Sequence, residues 1–276
     1  YKFPPYSPKS AWCKGFARRF VLANPAKVNE FLWREKKTAL GDFRKAYEGT
    51  LRMWLAKDLK NLSGPEFAKT LKRKIEESLK ADTPMLKRYY PRIGEKDLLI
   101  VHINNLVHGH YEFKTTYGRP ENAESLLRQP TADCSELGRA GAVLASLFRD
   151  DVKIFVFGID YQTNHGRFES SHCLFATSDY ILDPEVNMII RAGLNEILKI
   201  PADKRFERLM ESERISLFHN RYLEPARRKA QIETHGTDGG VIVFYYPWYI
   251  RGFDRGKSRV TLLDIPKELR FKSGQE

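Results

Sequence analysis

A chain of 276 residues with 42% hydrophobic and 12% aromatic content carries enough apolar material for a substantial core, which excludes a disordered or low-complexity protein. A formal charge of +12 and a pI near 9.5 favour an acidic polymer or surface as partner. Lys and Arg are nevertheless interspersed with Asp and Glu, and no zinc-finger, RNP or homeodomain pattern accompanies them, so the charge reads first as a solvated basic surface.

The chain opens on Tyr1 with a proline-rich stretch, YKFPPYSPKS, a start that suits a mature exported protein without its leader. Apolar residues at helical spacing then predict helices over residues 10–23, 28–39, 42–59 and 66–80. Gly49 weakens the third; Phe67, Leu71, Ile75 and Leu79 form the stripe of the fourth. Lysines on the polar faces, among them Lys57, Lys60, Lys69 and Lys72, are solvating groups first and an anion patch second. Residues 82–97, with Pro84 and Pro91, read as a polar connector closing a mainly helical N-terminal region, 1–97.

Residues 98–107 (LLIVHINNLV) open the second region, 98–276, as either a strand or a helix. His108 and His110 would share a strand face, yet no third ligand of suitable spacing accompanies them, His102 being the nearest other histidine. They are expected at the surface or rim, and no metal or cofactor is expected anywhere. Gly118-Arg119-Pro120 marks a turn, and residues 122–128 a short helix.

Asp133 followed three residues later by Glu136 is a capping-box spacing, which places Cys134 in the first turn of a helix. Leu137, Ala140, Gly141, Leu144, Leu147 and Phe148 continue it as one apolar stripe able to bury against a sheet. The free amides and positive dipole end of such a helix favour thiolate over thiol and offer donors to an oxyanion. The backbone amide of Cys134 is the first such donor.

Residues 152–159 (VKIFVFGI) are strand-like, and residues 172–182 contain two short apolar runs around Thr177-Ser178-Asp179. With Thr177-Ser178 as a two-residue hairpin loop, His172 lies opposite Asp183; with Ser178-Asp179 the two are diagonal neighbours on one face. A three-residue loop puts them on opposite faces. In either of the first two registers Asp183 can orient the imidazole, and the imidazole can act as base and then acid towards Cys134. His165 lies mid-loop in the polar segment 160–171, which is expected to form a lid or substrate rim, so His172 is the stronger base.

The run 123–184, with ESLL before DCSE, AGAVLASLF after it, then SHCLF and YILDP, resembles the core of the transglutaminase-like superfamily of papain-like cysteine enzymes. The resemblance implies an α+β fold in which the nucleophile helix packs on an antiparallel sheet. Cys134, His172 and Asp183 match the family's Cys opening a helix, His on a strand and Asp before Pro. One departure stands out: Leu174 occupies a place where many members have an aromatic, and Cys173 directly follows the His. The activity implied is metal-free acyl transfer from an amide of a protein or peptide substrate through a thioester, to water (peptidase or amidase) or to an amine (transamidase). In the wider papain-like group an upstream polar or aromatic side chain assists the oxyanion, for which Gln129 and Tyr117 are the candidates. The alternative is a catalytically inactive transglutaminase-like binding module that uses its basic surface on an acidic partner or polymer.

Beyond Pro184, residues 186–198, 203–218 and 221–229 read as charged helices. Residues 241–250 (VIVFYYPWYI) and 259–263 read as strands, and Tyr245, Tyr246, Trp248 and Tyr249 need no ligand to explain them. The most apolar stretch, 240–250, is about half the length of a membrane span and is broken by Pro247, so no transmembrane segment is expected. Cys13, Cys134 and Cys173 make no disulfide framework and no zinc pair; at most Cys13 and Cys173 join, which leaves Cys134 free.

Overall fold

A computed structural model describes residues 41–113, 120–163, 166–185, 187–201, 204–205, 208, 212–216 and 257–271. The expected helices at 10–23 and 28–39, the helix at 221–229, the strand at 241–250, and Cys13, Tyr117 and His165 lie outside them. The described chain is a mixed α+β protein: helices α1 (Gly41–Tyr47), α2 (Thr50–Lys57), α3 (Gly64–Tyr89) and α4 (Leu98–His110) precede a short α5 (Ala123–Arg128) and the helix α6 (Cys134–Ala145). Strands β1 (Glu112–Phe113) and β2 (Thr131–Ala132) form a small parallel pair around α5. Strands β3 (Lys153–Thr163), β4 (Gly166–Ala176), β5 (Ile181–Asp183), β6 (Met188–Arg191), β7 (Glu213–Ser216) and β8 (Lys257–Leu263) make one antiparallel sheet, in the order β7-β6-β5-β4-β3-β8. Helix α7 (Leu194–Leu198) follows β6.

One hydrophobic core runs through both halves, from Phe43 and Leu71 in the early helices through Ile103 to Leu144 and Phe175. Among the described residues no helix is long and apolar enough to cross a membrane.

Several expectations from the sequence change in the fold. The single helix over 42–59 divides at Gly49, whose φ of 75° lies in the left-handed region that glycine adopts most readily. Gly49 N donates to Gly109 O at 3.0 Å, and a Cβ on Gly109 would collide with the Tyr47 backbone, so the break lets α1 and α2 press onto α4. The fourth helix does not stop before the connector: α3 runs through Pro84 to Tyr89, because Leu86 is buried and Met85 and Tyr89 pack against the core. The burial of those side chains outweighs the lost helical hydrogen bond of a proline.

Residues 98–110 are a helix, with Leu98, Ile100, Val101, Ile103, Leu106 and Val107 all buried. Its histidines are buried too, contrary to the rim placement, because partners from other elements meet each ring. Tyr47 and Ser78 hydrogen-bond His102 at 2.8 Å each, and His110 Nε2 donates to Leu127 O at 2.7 Å. Residues 160–163 and 166–171, expected as part of a polar loop, are strand. They extend the β3–β4 pairing, in which Tyr161 registers with Phe168 and Asp160 with Glu169. Residues 186–198 are not one helix, since the β-branched run Ile189-Ile190 is buried as strand β6 before α7 begins. Glu213–Ser216 is likewise a strand paired with β6. The short helix after Asn122 and the final strand stand as expected.

Candidate active site

Cys134 is the first residue of α6. The capping box forms as its spacing predicts: Asp133 Oδ1 accepts from the amides of Ser135 at 2.9 Å and Glu136 at 3.1 Å, and Glu136 Oε2 accepts from Asp133 N at 3.0 Å. This cap uses the amides of Ser135 and Glu136 and not that of Cys134. Cys134 is half-buried while Cys173 is buried, and both are free thiols.

Two glycines set the height of this helix over the sheet. A Cβ on Gly138 would lie 2.7 Å from Cys173 Sγ and 2.8 Å from its carbonyl carbon, and one on Gly141 would enter the Phe175 ring. The helix therefore rests directly on β4, and its first residue overhangs His172 of that strand. Burial in this contact pushes the Cys173 thiol up, out of the range in which it reacts.

The β4–β5 register follows from the turn. Thr177 N donates to Tyr180 O at 2.8 Å, closing Ser178-Asp179 as the two-residue loop. Asp151 fixes that loop by accepting from Ser178 N at 2.8 Å while Arg149 grips the same carboxylate through Nε and Nη2, each at 2.7 Å. Phe175 pairs with Leu182 and Ala176 with Ile181, so His172 and Asp183 are diagonal neighbours on one face. This is the second of the two compatible registers. His172 Nε2 and Asp183 Oδ2 lie 2.8 Å apart, with the side chains 4% and 1% exposed.

Continuing the Phe175–Leu182 register outward by three residues points to Glu185, which the sequence analysis did not single out. Its Oε2 is 3.6 Å from His172 Nδ1, and its backbone amide donates to Asp183 Oδ1 at 3.0 Å. Cys134 Sγ, a His172 ring nitrogen and a Glu185 carboxylate oxygen all lie within 4.8 Å of one another. With Nε2 occupied by Asp183, Nδ1 is the ring nitrogen left for sulfur.

Burial opposes protonation of His172. The Asp183 carboxylate, the Cys134 contact and Glu185 overcome it and hold the imidazolium well above its ordinary range.

Helix α4 anchors the turn that carries both carboxylates. His108 Nδ1 donates to Pro184 O at 2.7 Å, and Asn104 Nδ2 donates to Asn187 Oδ1 at 2.8 Å. Asn187 has φ of 49°, a left-handed conformation that Asn adopts more easily than most residues. The sequence offered one weak signal for this clamp: polar residues 104 and 108 are four apart on a helix otherwise rich in apolar side chains.

At the C-terminal end of α4, Tyr111 Oη donates to Leu126 O at 2.9 Å, and His110 holds Leu127 O. These bonds fix the end of α5, where Gln129 is the C-cap. The Nε2 of Gln129 is buried without a hydrogen-bond partner among the described residues.

No protein-family model, no curated protein and no solved structure matches this chain.

Proposed function

We propose that this protein is a cysteine-dependent acyl-transfer enzyme acting on amide bonds of a protein or peptide, with a transglutaminase-like, papain-like core. The observation that carries the reading is the convergence of Cys134, at a capped helix start, with a buried His172 bonded to Asp183. Each comes from a separate element, so packing pre-forms the set before substrate arrives.

In the proposed reaction the Cys134 thiolate attacks the amide carbonyl carbon, giving a tetrahedral oxyanion. The Cys134 amide, which the Asp133 cap leaves available, and the Gln129 side-chain amide are its candidate donors. The His172 imidazolium gives its proton to the departing nitrogen, the C–N bond breaks and a thioester remains. Neutral His172 then takes a proton from water or an amine as that acceptor attacks the thioester, and the thiolate returns. Asp183 holds one tautomer throughout and stabilises the imidazolium. Water needs no second binding site, which favours hydrolysis over transamidation.

The test is incubation of the full chain with a glutamine-containing peptide and a labelled primary amine. Peptide cleavage or ammonia release without label supports hydrolysis; label incorporation supports transamidation. Turnover that survives Cys134→Ala would sink the thiol mechanism.

A further inference from the structure

The three groups that meet from α6, β4 and the turn after β5 present a sulfur, a nitrogen and an oxygen. Their ligating atoms lie within 4.8 Å of one another, and the His172 Nδ1 to Glu185 Oε2 separation is 3.6 Å. A tetrahedral Zn2+ with bonds of about 2.0–2.3 Å has ligand-to-ligand edges of about 3.3–3.8 Å. Small side-chain rotations therefore bring all three onto one ion.

The donor types also select the metal. Thiolate and imidazole suit zinc, whereas magnesium and calcium require several hard oxygens. Around these donors stands the support that zinc-ligating histidines commonly have, since the far ring nitrogen of His172 is hydrogen-bonded to the Asp183 carboxylate. Half-buried Cys134 leaves one side of the cluster open for water as a fourth ligand.

We propose that Cys134, His172 and Glu185 bind Zn2+, and that the bound ion reversibly blocks the thiol. The inference rests on the same cluster as the acyl-transfer reading and adds its regulation. Zn2+ takes the sulfur lone pair and the Nδ1 lone pair together, and the proton these two groups share leaves to solvent; nothing is oxidised or reduced. The ion thereby occupies both the nucleophile and the proton carrier, and a chelator restores them. Glu185 is assigned here as the third ligand.

The experiment uses the chelator-treated full chain. Titration with Co2+ should give the near-ultraviolet band of a thiolate–cobalt bond, saturating at one ion per chain and displaced by Zn2+. Zn2+ should slow alkylation of Cys134 by iodoacetamide, followed by peptide mass, at least tenfold, and EDTA should restore the rate. Cys134→Ser should lose the near-ultraviolet band, and Glu185→Gln should weaken Zn2+ binding tenfold or more while keeping it. Absence of the thiolate–cobalt band, or a Cys134 alkylation rate indifferent to Zn2+, overturns the proposal. The protection measurement needs only the natural chain and decides the matter if either variant fails to fold. Peptide turnover in EDTA separates the two readings: turnover insensitive to Zn2+ removes the metal site alone, and cobalt binding without turnover of any peptide removes acyl transfer alone.

Discussion

The distance between α6 and the sheet should control the reactivity of Cys134, and Gly138→Ala tests it. The added methyl would sit 2.7 Å from Cys173 Sγ and 2.8 and 2.9 Å from the Cys173 carbonyl carbon and oxygen. Ordinary contact begins at about 3.4 Å or beyond, so the helix must lift by roughly half an ångström or the strand must give way. Overpacking of this kind costs about 1–3 kcal/mol, and the better helix propensity of alanine offsets up to about 1 kcal/mol of it. We expect a net loss of about 1–2 kcal/mol in urea denaturation. Because a misplacement of about 1 Å can cost roughly a hundredfold in rate, Cys134 alkylation and peptide turnover should fall about tenfold. Adding Cys173→Ala relieves the sulfur contact but neither backbone contact, so rescue should be partial. Gly138→Ala as stable as the natural chain, with unchanged Cys134 kinetics, would refute the claim that this contact positions the nucleophile.

The same contacts make three further outcomes measurable. Asp183→Asn keeps the shape of the site but removes the charge that orients His172, and turnover should fall about 10³–10⁴-fold with far-ultraviolet circular dichroism unchanged; wild-type turnover would count against the triad. Asn104→Ala leaves Asn187 without its α4 partner and should cost about 1–3 kcal/mol of stability, with faster hydrogen exchange in the turn at 184–187 as the specific sign. Burial lowers His110 to about 4 and His102 to about 3. Below about pH 6.5 the unfolded chain therefore binds protons that these folded rings refuse. Their contribution is present above pH 6.5 and is lost as pH falls towards 4 and then 3, about 3 kcal/mol for His110 alone at 1.36 kcal/mol per unit. His172 does not reverse this trend, since its raised value gives a contribution already full below pH 6.5 and lost only as pH rises through its folded value. Urea midpoints between pH 7 and 4.5 measure the loss, and a flat profile would contradict it.

How much of this the sequence disclosed depends on how local the determining contacts are. The start of α6 was legible because its cap is made within four residues, Asp133 to Glu136. The β4–β5 register was legible only as a choice, because Asp151 and Arg149, some 27 to 29 residues from Ser178, complete the turn. Glu185 was hidden because it lies beyond the last paired residue of β5 and reaches His172 only through the turn at Pro184. The extent of α3 was missed for another reason: Pro84 is a strong local stop signal, and only tertiary burial of Leu86 overrides it.

The buried histidines of α4 show why a division of the chain near residue 97 describes composition better than energetics. His102 is held by Tyr47 and Ser78 from the early helices, whereas His108 and Asn104 hold the turn that carries Asp183 and Glu185. Arg128, just ahead of β2 and α6, donates to Leu59 O and Leu62 O and lies over the Phe67 ring. The early helices thus bury one side of α4 while its other polar groups fix the carboxylates of the site. Burying this many polar atoms in one helix costs stability wherever a partner is missing, as at Asn104 Oδ1, Asn105 Nδ2 and His110 Nδ1 among the described residues, so the bonds that are made matter on both sides of α4. Those bonds tie residues 41–89, through α4, to the segment that holds Asp183 and Glu185.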